Sequence, residues 1–292
     1  MQSFTIKDLE NLSGIKAHTL RVWEQRYNFL KPSRTSTKIR YYNNEELKKI
    51  LNVALLNKFG YKVSRIGNMN DSEINEKIVS LIQPLAQQER IVNNLIHNMI
   101  DMNMEAMEET LDDYIMARGI EKTITQVIFS YLERIGILWQ TNHINPAQEH
   151  LVTNIIRQKL IAGLEAVHPV QKKNVSILMF LPEGEHHELG LLFMYYLLKS
   201  RGANVIYLGA NIPVKDVVYV VNIKKPDFLY THLTITGPKF NFEKFLLSIK
   251  RHMGTTPIII SGNLTNTYEK KIKPPLFFKN SFQEAMDFVA GL

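Results

Sequence analysis

The sequence predicts a multidomain chain in three parts: a helix-turn-helix head, a four-helix bundle, and an α/β module built on a mostly parallel sheet. Three observations predict it. Positive charge gathers at the N-terminus, where Met1 to Ile66 hold 13 Lys/Arg against 5 Asp/Glu, a net of +8 beside +7 for the whole chain. From Ser72 to Val167 apolar residues recur at helical spacing with few glycines. After "HPVQKKN" the pattern changes to short apolar runs separated by helical stretches, the alternation of a parallel α/β sheet. The corresponding boundaries are 1–70, 71–168 and 169–292.

The 292 residues, 45% of them apolar, suffice for two or three cores. Zero cysteines exclude disulfides, thiolate metal sites, iron–sulfur clusters and a cysteine nucleophile, so any metal is held by His, Asp or Glu or arrives inside a cofactor. The N-terminal "MQSFTIKDLENLSG" lacks the basic-then-apolar pattern of a secretion signal, and no apolar run is long enough to span a bilayer. The expectation is a soluble, cytoplasmic protein without a membrane partner.

In the head, "TIKDLENLSGIKAHTLRVWEQRY" reads as two short helices around a tight turn. Thr5 and Asp8 have capping-box spacing, Ile6, Leu9 and Leu12 share a face, and Ser13-Gly14 ends the first helix. The second helix carries Leu20 and Trp23 on one stripe and exposes His18, Arg21 and Gln25; such a helix can enter the major groove. "KPSRTSTKIRYY" follows with Lys31, Arg34, Lys38 and Arg40 in a hydroxyl-rich hairpin suited to phosphates. A basic head on a near-neutral body suggests double-stranded DNA as partner; a solvated basic surface is the alternative reading of charge alone.

In the middle, four helices are predicted within "EKIVSLIQPLAQQERIVNNLIHNMI", "NMEAMEETLDDYIMAR", "IEKTITQVIFSYLERIGILWQ" and "PAQEHLVTNIIRQKLIAGLEAV". Asn145 suits an N-cap, Pro146 the first helical position and Gln148 a capping box, which places Glu149 and His150 on the first turn. Trp139, Glu149 and His150 line one edge of a cavity, or else Trp139 is core and Glu149 answers the helix dipole. The five apolar runs beyond residue 174 are "VSILMFL", "NVIYLGA", "DFLYTHLTIT", "TPIIISG" and "PLFFKN". "PEGEHHELGL" (Pro182 to Leu191) lies where the first strand gives way to a helix, the rim at which such sheets bind ligands. Glu185 and His187, two apart, can both point inward; a carboxylate on one ring nitrogen fixes the tautomer of a metal-ligating histidine. Gly190 leaves room for something bulky against the helix.

Residues 4–66 resemble the MerR-type winged helix-turn-helix, in the order "TLRVWEQRY", "RTSTKIRYY" and "NNEELKKILNVALLNKFGYKVSRI". The resemblance implies that Arg21 and Arg40 bind phosphates, that Tyr42 packs or contacts backbone in the wing, and that His18 and Thr19 lie near base edges. "EGEHHELG" is similar to the Glu-x-His-x-x-Gly pattern of the cobalamin-binding Rossmann-like (flavodoxin-like) fold, and Trp139 with Glu149-His150 to a Trp-x9-Glu-His pattern of its helical-bundle cap. The whole chain resembles the CarH-like photoreceptor regulators, in which adenosylcobalamin assembles a DNA-binding tetramer in the dark and light dissolves it.

The resemblance implies a cobalamin-dependent transcriptional regulator, not an enzyme, working as a homo-oligomer. His187 becomes the lower axial cobalt ligand and Glu185 its orienter, and Trp139, Glu149 and His150 surround the adenosyl group. Thr231 and Leu233 take the place of a Ser-x-Leu motif, and Ser261-Gly262 that of a Gly-Gly pair near the nucleotide tail. Three departures stand out: Thr231 for serine, Ser261 for glycine, and Gln140 where the light sensors have an upper-ligand histidine, with His143 three residues on. The alternative is a regulator whose cobalamin fold has lost its cofactor and answers to another ligand or a protein.

Overall fold

Thr5 opens the first helix as its spacing predicts: its hydroxyl accepts from the Asp8 amide while the Asp8 carboxylate accepts from the Thr5 amide at 2.7 Å. This computed structural model describes residues 3–27, 30–140, 144–234, 240–268 and 272–292, with 137–140 as backbone alone. Helix α1 (Ile6–Ser13) ends at Gly14, whose φ of +73° closes the turn into α2 (Ala17–Tyr27). Strands β1 (Ser33–Arg34) and β2 (Arg40–Tyr41) form an antiparallel hairpin, and Phe4 bridges to Tyr42 beside it. Leu9, Leu12, Leu20, Phe4 and Tyr42 fill the small core. Trp23 is half-buried, so Leu20 contributes more to that core than the tryptophan beside it.

Helix α3 (Asn44–Lys58), capped by Asn43 and Glu46, packs against α1 and leads through α4 (Val63–Ile66) to α5 (Asp71–Val79). Within the stretch from Glu76 to Ile100 the expected helix is α6 (Pro84–Ile100), which begins at Pro84 because proline lacks the amide needed to continue a helix and suits its first turn. Helices α7 (Met104–Arg118) and α8 (Ile120–Thr123) follow, then a π-helical turn at Ile124–Ile128 running into α9 (Phe129–Gln140). Helix α10 (Pro146–Glu165) starts as its sequence predicts: the Asn145 side chain accepts from the Ala147 amide and Gln148 accepts from the Asn145 amide. Gln148, 4% exposed, also donates to the Met99 carbonyl at 3.0 Å. One polar network ties three of these helices. Arg134 on α9 binds the Glu89 carboxylate and donates to Asn93 on α6; Lys58 on α3 holds the other Glu89 oxygen at 2.9 Å, and Asn93 donates to the Leu51 carbonyl.

The chain divides into two compact units, Met1–Ile155 and Ile156–Leu292. In the second, all five apolar runs become strands: β3 (Ser176–Pro182), β4 (Asn204–Ile212), β5 (Phe228–His232), β6 (Ile258–Ser261) and β7 (Leu276–Lys279). Every pairing is parallel, in the order β4-β3-β5-β6-β7. Helices α11 (Leu189–Ser200), α12 (Val214–Lys224), α13 (Phe242–Met253), α14 (Asn263–Asn266) and α15 (Phe282–Ala290) connect or follow them. Alternate strand residues point to opposite faces. Leu178, Phe180, Leu229, Leu233 and Ile260 face Val217 of α12 and Phe245 and Ile249 of α13. Tyr230 faces the other way, stacked on Phe288 of α15. The chain reverses its direction of advance between β3 and β5, so the crevice for a ligand opens at their carboxyl ends.

Burial pushes the Glu89 carboxyl up, but Lys58 and Arg134 outweigh it and hold the carboxyl below its ordinary range. The pair's contribution is therefore complete above the ordinary carboxylate range and fades as pH falls through the lower folded-state value. Arg134→Met is expected to cost about 2 kcal/mol at neutral pH, the scale of hydrogen bonds to a charged group. Urea unfolding should show the gap from wild type shrinking on acidification; a gap constant down to strongly acidic pH would contradict this account of Glu89.

Candidate functional site

In the head, the α2 residues His18 and Arg21 are exposed and Thr19 is half-buried, its hydroxyl 3.2 Å from the His18 ring. The hairpin tip is shaped by Thr35, whose amide donates to the Ile39 carbonyl and whose hydroxyl accepts from the Ile39 amide, while Lys38 takes a φ of +63°. Arg34 and Lys38 are exposed there. Arg40 is drawn inward: its Nε donates to Glu24 at 3.1 Å. Tyr42 has no solvent exposure and donates its hydroxyl to the other Glu24 oxygen, so it supports the wing from within and presents no surface to a ligand. Burial, with Glu24 beside it, pushes the Tyr42 phenol up and keeps it a donor.

The second site lies at the switch point. Glu185 follows β3 with 0% exposure, and such a carboxylate needs several donors. Its Oε1 accepts from the His186 and His187 amides at 2.9 Å each and pairs with His187 Nδ1 at 2.6 Å; its Oε2 accepts from the Thr234 amide just past β5 at 3.0 Å. Burial pushes this carboxyl up, but the hydrogen bonds from His187 and Thr234 hold it below its ordinary range. Glu185 thus spans the crevice between β3 and β5. The loop is pinned to β4 as well: the Asn211 amide donates to the Glu185 carbonyl and the Asn211 side chain accepts from the Gly184 amide. The His187 side chain is 45% exposed, and with Nδ1 engaged a metal would be taken through Nε2.

Among the described residues no three His, Asp or Glu side chains converge as a metal-holding group. His187 offers a single nitrogen, oriented by Glu185, and such a pair fits a cobalt whose remaining donors a corrin ring supplies. The space beyond the pair fits less well. A Cβ added to Gly190 would lie 2.4 Å from His232 Nε2, so the room that glycine leaves is filled by a ring of the chain itself. The His232 Nδ1 lies 2.8 Å from the Ser261 hydroxyl, which lies 2.6 Å from the Tyr230 hydroxyl. Burial pushes the His232 pKa down to about 4, so the ring is neutral. Gly262, with φ of +99°, has the Leu233 carbonyl oxygen 2.3 Å from where its Cβ would stand.

Thr231 and Leu233 are on the opposite face of β5 from Gly190. Leu233 packs in the apolar layer under α12 and α13, and Thr231, fully buried, keeps a hydroxyl without a partner among the described residues. Ser261 sits on the Gly190 side, opposite His232 in the β5–β6 register. Tyr230 and His232 are the residues that sequence reasoning passed over; their signal was strand parity, since the two share a face and the register sets His232 beside Ser261. Glu188 has a role of its own beside this site. Beyond standing at the start of α11 it accepts from the Tyr207 hydroxyl at 2.8 Å and faces Arg157 at 3.7 Å. Glu149 is half-buried and His150 exposed on the first turn of α10. The side chains of Trp139 and Gln140, and His143 entirely, lie outside the described residues.

Residues 4–73 match the MerR HTH family regulatory protein model, and residues 91–162, from α6 into α10, match the B12 binding domain model. The chain is 24% identical over 277 residues to the HTH-type transcriptional repressor CarH of Myxococcus xanthus, covering 92% of this chain and 91% of that one. It is 27% identical over 260 residues to the HTH-type transcriptional repressor CarA of the same organism, covering 88% and 85%. The monomethylamine corrinoid protein of Methanosarcina barkeri shares the fold, with a TM-score of 0.53 at 13% identity over 70% of this chain and 99% of that one. No described helix is long and apolar enough to cross a membrane. The chain thus carries a stretch similar to MerR HTH regulatory proteins, a helical stretch similar to the B12 binding domain and a Rossmann-like parallel sheet, and over most of its length it is similar to the CarH and CarA repressors.

Proposed function

We propose that this protein is a DNA-binding transcriptional repressor that binds cobalamin, with His187 as the lower cobalt ligand. The observation that carries the reading is the Glu185–His187 pair, buried acid against half-exposed imidazole at 2.6 Å, at the switch point of the sheet. Glu185 holds the ring in one orientation and stabilises the Nδ1-protonated tautomer, which raises the basicity of Nε2. The two relatives that match nearly the whole chain are named as repressors, and the head has the exposed basic helix and hairpin that a duplex requires.

The adenosyl form of the cofactor and a homo-oligomer as the DNA-binding species follow from the resemblance, with Trp139, Glu149 and His150 around the adenosyl group. Gln140 stands where the light sensors carry their upper-ligand histidine, and an amide is a poor cobalt ligand. A light response in this chain must therefore proceed without that ligand. The carbon–cobalt chemistry belongs to the cofactor; the chain's part is to hold it through His187 and convey its presence to the head.

Two experiments test this reading. In the head, Arg21→Ala and Arg34→Ala should each weaken binding to all duplexes and lower the slope of log affinity against log salt by about 1. Arg40→Ala should also lower stability, because it frees Glu24 at the base of the wing. Unchanged affinity in the first two would remove the proposed interface. At the cofactor site, wild-type protein saturated with cobinamide, which has no base of its own, should show the visible spectrum of a corrinoid with a nitrogen lower ligand. His187→Ala should shift it to the spectrum of a corrinoid without one, and Glu185→Gln should weaken retention by about 10–100-fold. A nitrogen-ligated spectrum that persists in His187→Ala would reassign the ligand.

A further inference from the structure

The glycines of the cofactor motifs leave room that the chain itself occupies. Gly190 faces the His232 ring, whose Nε2 lies where a Cβ would come within 2.4 Å, and Gly262 faces the Leu233 backbone at 2.3 Å from the same construction. His232 does not sit there loosely. Its Nδ1 shares a hydrogen bond with Ser261, Ser261 shares another with Tyr230, and Tyr230 is fully buried against Phe288. The His232 ring stands in the space that Gly190 leaves between α11 and the carboxyl ends of β5 and β6. None of the hydrogen bonds that hold the cobalt-ligand pair comes from the cluster: Glu185 and His187 hang from the loop after β3 and are held by the amides of that loop and of Thr234.

We propose that His232 is the specificity-determining residue of this site: keyed in place by Ser261 and Tyr230, it occupies the space of the nucleotide tail and makes the module favour a corrinoid without that tail over intact cobalamin. The inference rests on the corrinoid reading of His187 and narrows it. Cobalamin binds only as the His232 ring turns out of the hollow, which breaks its hydrogen bond to Ser261 and exposes the Tyr230–Ser261 pair. Losing one such bond and the packing around it corresponds to about tenfold in affinity. Ser261 in place of a glycine is then part of the device, since its hydroxyl holds the ring that a glycine would leave unsecured.

The test measures affinities of the full chain in the dark for cobinamide, which keeps the cobalt corrin but has no nucleotide, and for hydroxocobalamin, by equilibrium dialysis. Wild type should hold cobinamide about tenfold more tightly. Cobinamide also has no internal base competing with His187, so the decisive quantity is how the ratio of the two affinities changes on substitution. His232→Ser should erase the preference by strengthening cobalamin binding about tenfold with cobinamide affinity unchanged, and Ser261→Gly should shift the ratio the same way by a smaller factor. Cobinamide binding by each variant verifies that the site remains folded. Equal wild-type affinities, or a ratio that neither substitution moves, would overturn the role of His232 and leave the corrinoid reading standing. If wild type holds neither corrinoid, both are overturned, and the fold serves another ligand or a partner protein.

Discussion

A carboxylate shut off from water survives in a fold only where donors replace its hydration, and Glu185 sits under that constraint with no exposed surface. Four donors meet it: two consecutive amides of its own loop, one ring nitrogen, and the amide of Thr234 beyond β5. Each is a hydrogen bond to an anion, worth about 1.5–3 kcal/mol against an unpaired alternative. Together they weld the loop after β3 to the end of β5, while Asn211, held at a φ of +60°, joins the same loop to β4. Three strand ends converge on one loop. The orientation of His187 is thus inherited from the sheet, and the loop has little freedom to present it differently.

The head uses an acid for a comparable purpose in a basic setting. Glu24, on α2, accepts from Arg40 and from the buried Tyr42, so it anchors the wing to the helix expected in the groove. This divides the basic residues by role. Arg40 is partly spent on holding the hairpin, whereas Arg21 and Arg34 extend into solvent. One acidic side chain in a region of net positive charge converts a set of cations into a surface with fixed geometry, and geometry positions a protein on phosphates.

Much of this was legible in the sequence, for identifiable reasons. Thr5–Asp8 and Asn145–Gln148 were readable because a cap is a local exchange between residues three apart. The five strands showed as apolar runs because a sheet covered on both faces leaves no polar alternation. Glu185 and His187 showed because both lie in one loop. What escaped notice was non-local. For Tyr42 the resemblance left packing and backbone contact both open, and the packing of Phe4 with the reach to Glu24 decides for packing. His232 was hidden by parity: in "YTHLT" the residues facing Gly190 are Tyr230 and His232, and the direction of that face is set by pairing with β6.

A glycine in a sequence records that room is needed without recording for what. At Gly190 and Gly262 the claimants are His232 and the Leu233 backbone, both from the same β5 end. The motif therefore separates into two parts with separate hydrogen bonds. The ligand part, Glu185 with His187, is held by amides at the ends of β3 and β5, and its charges reach the His232 ring on β5 through space only. The room for a tail depends wholly on the side chains that β5 presents and on Ser261. A chain can keep the first part intact while closing the second, because no hydrogen bond described between them forces the two to change together. A match to Glu-x-His-x-x-Gly accordingly speaks to how a metal is held, and the identity of what fills the hollow behind the glycine must be read from the opposite strand.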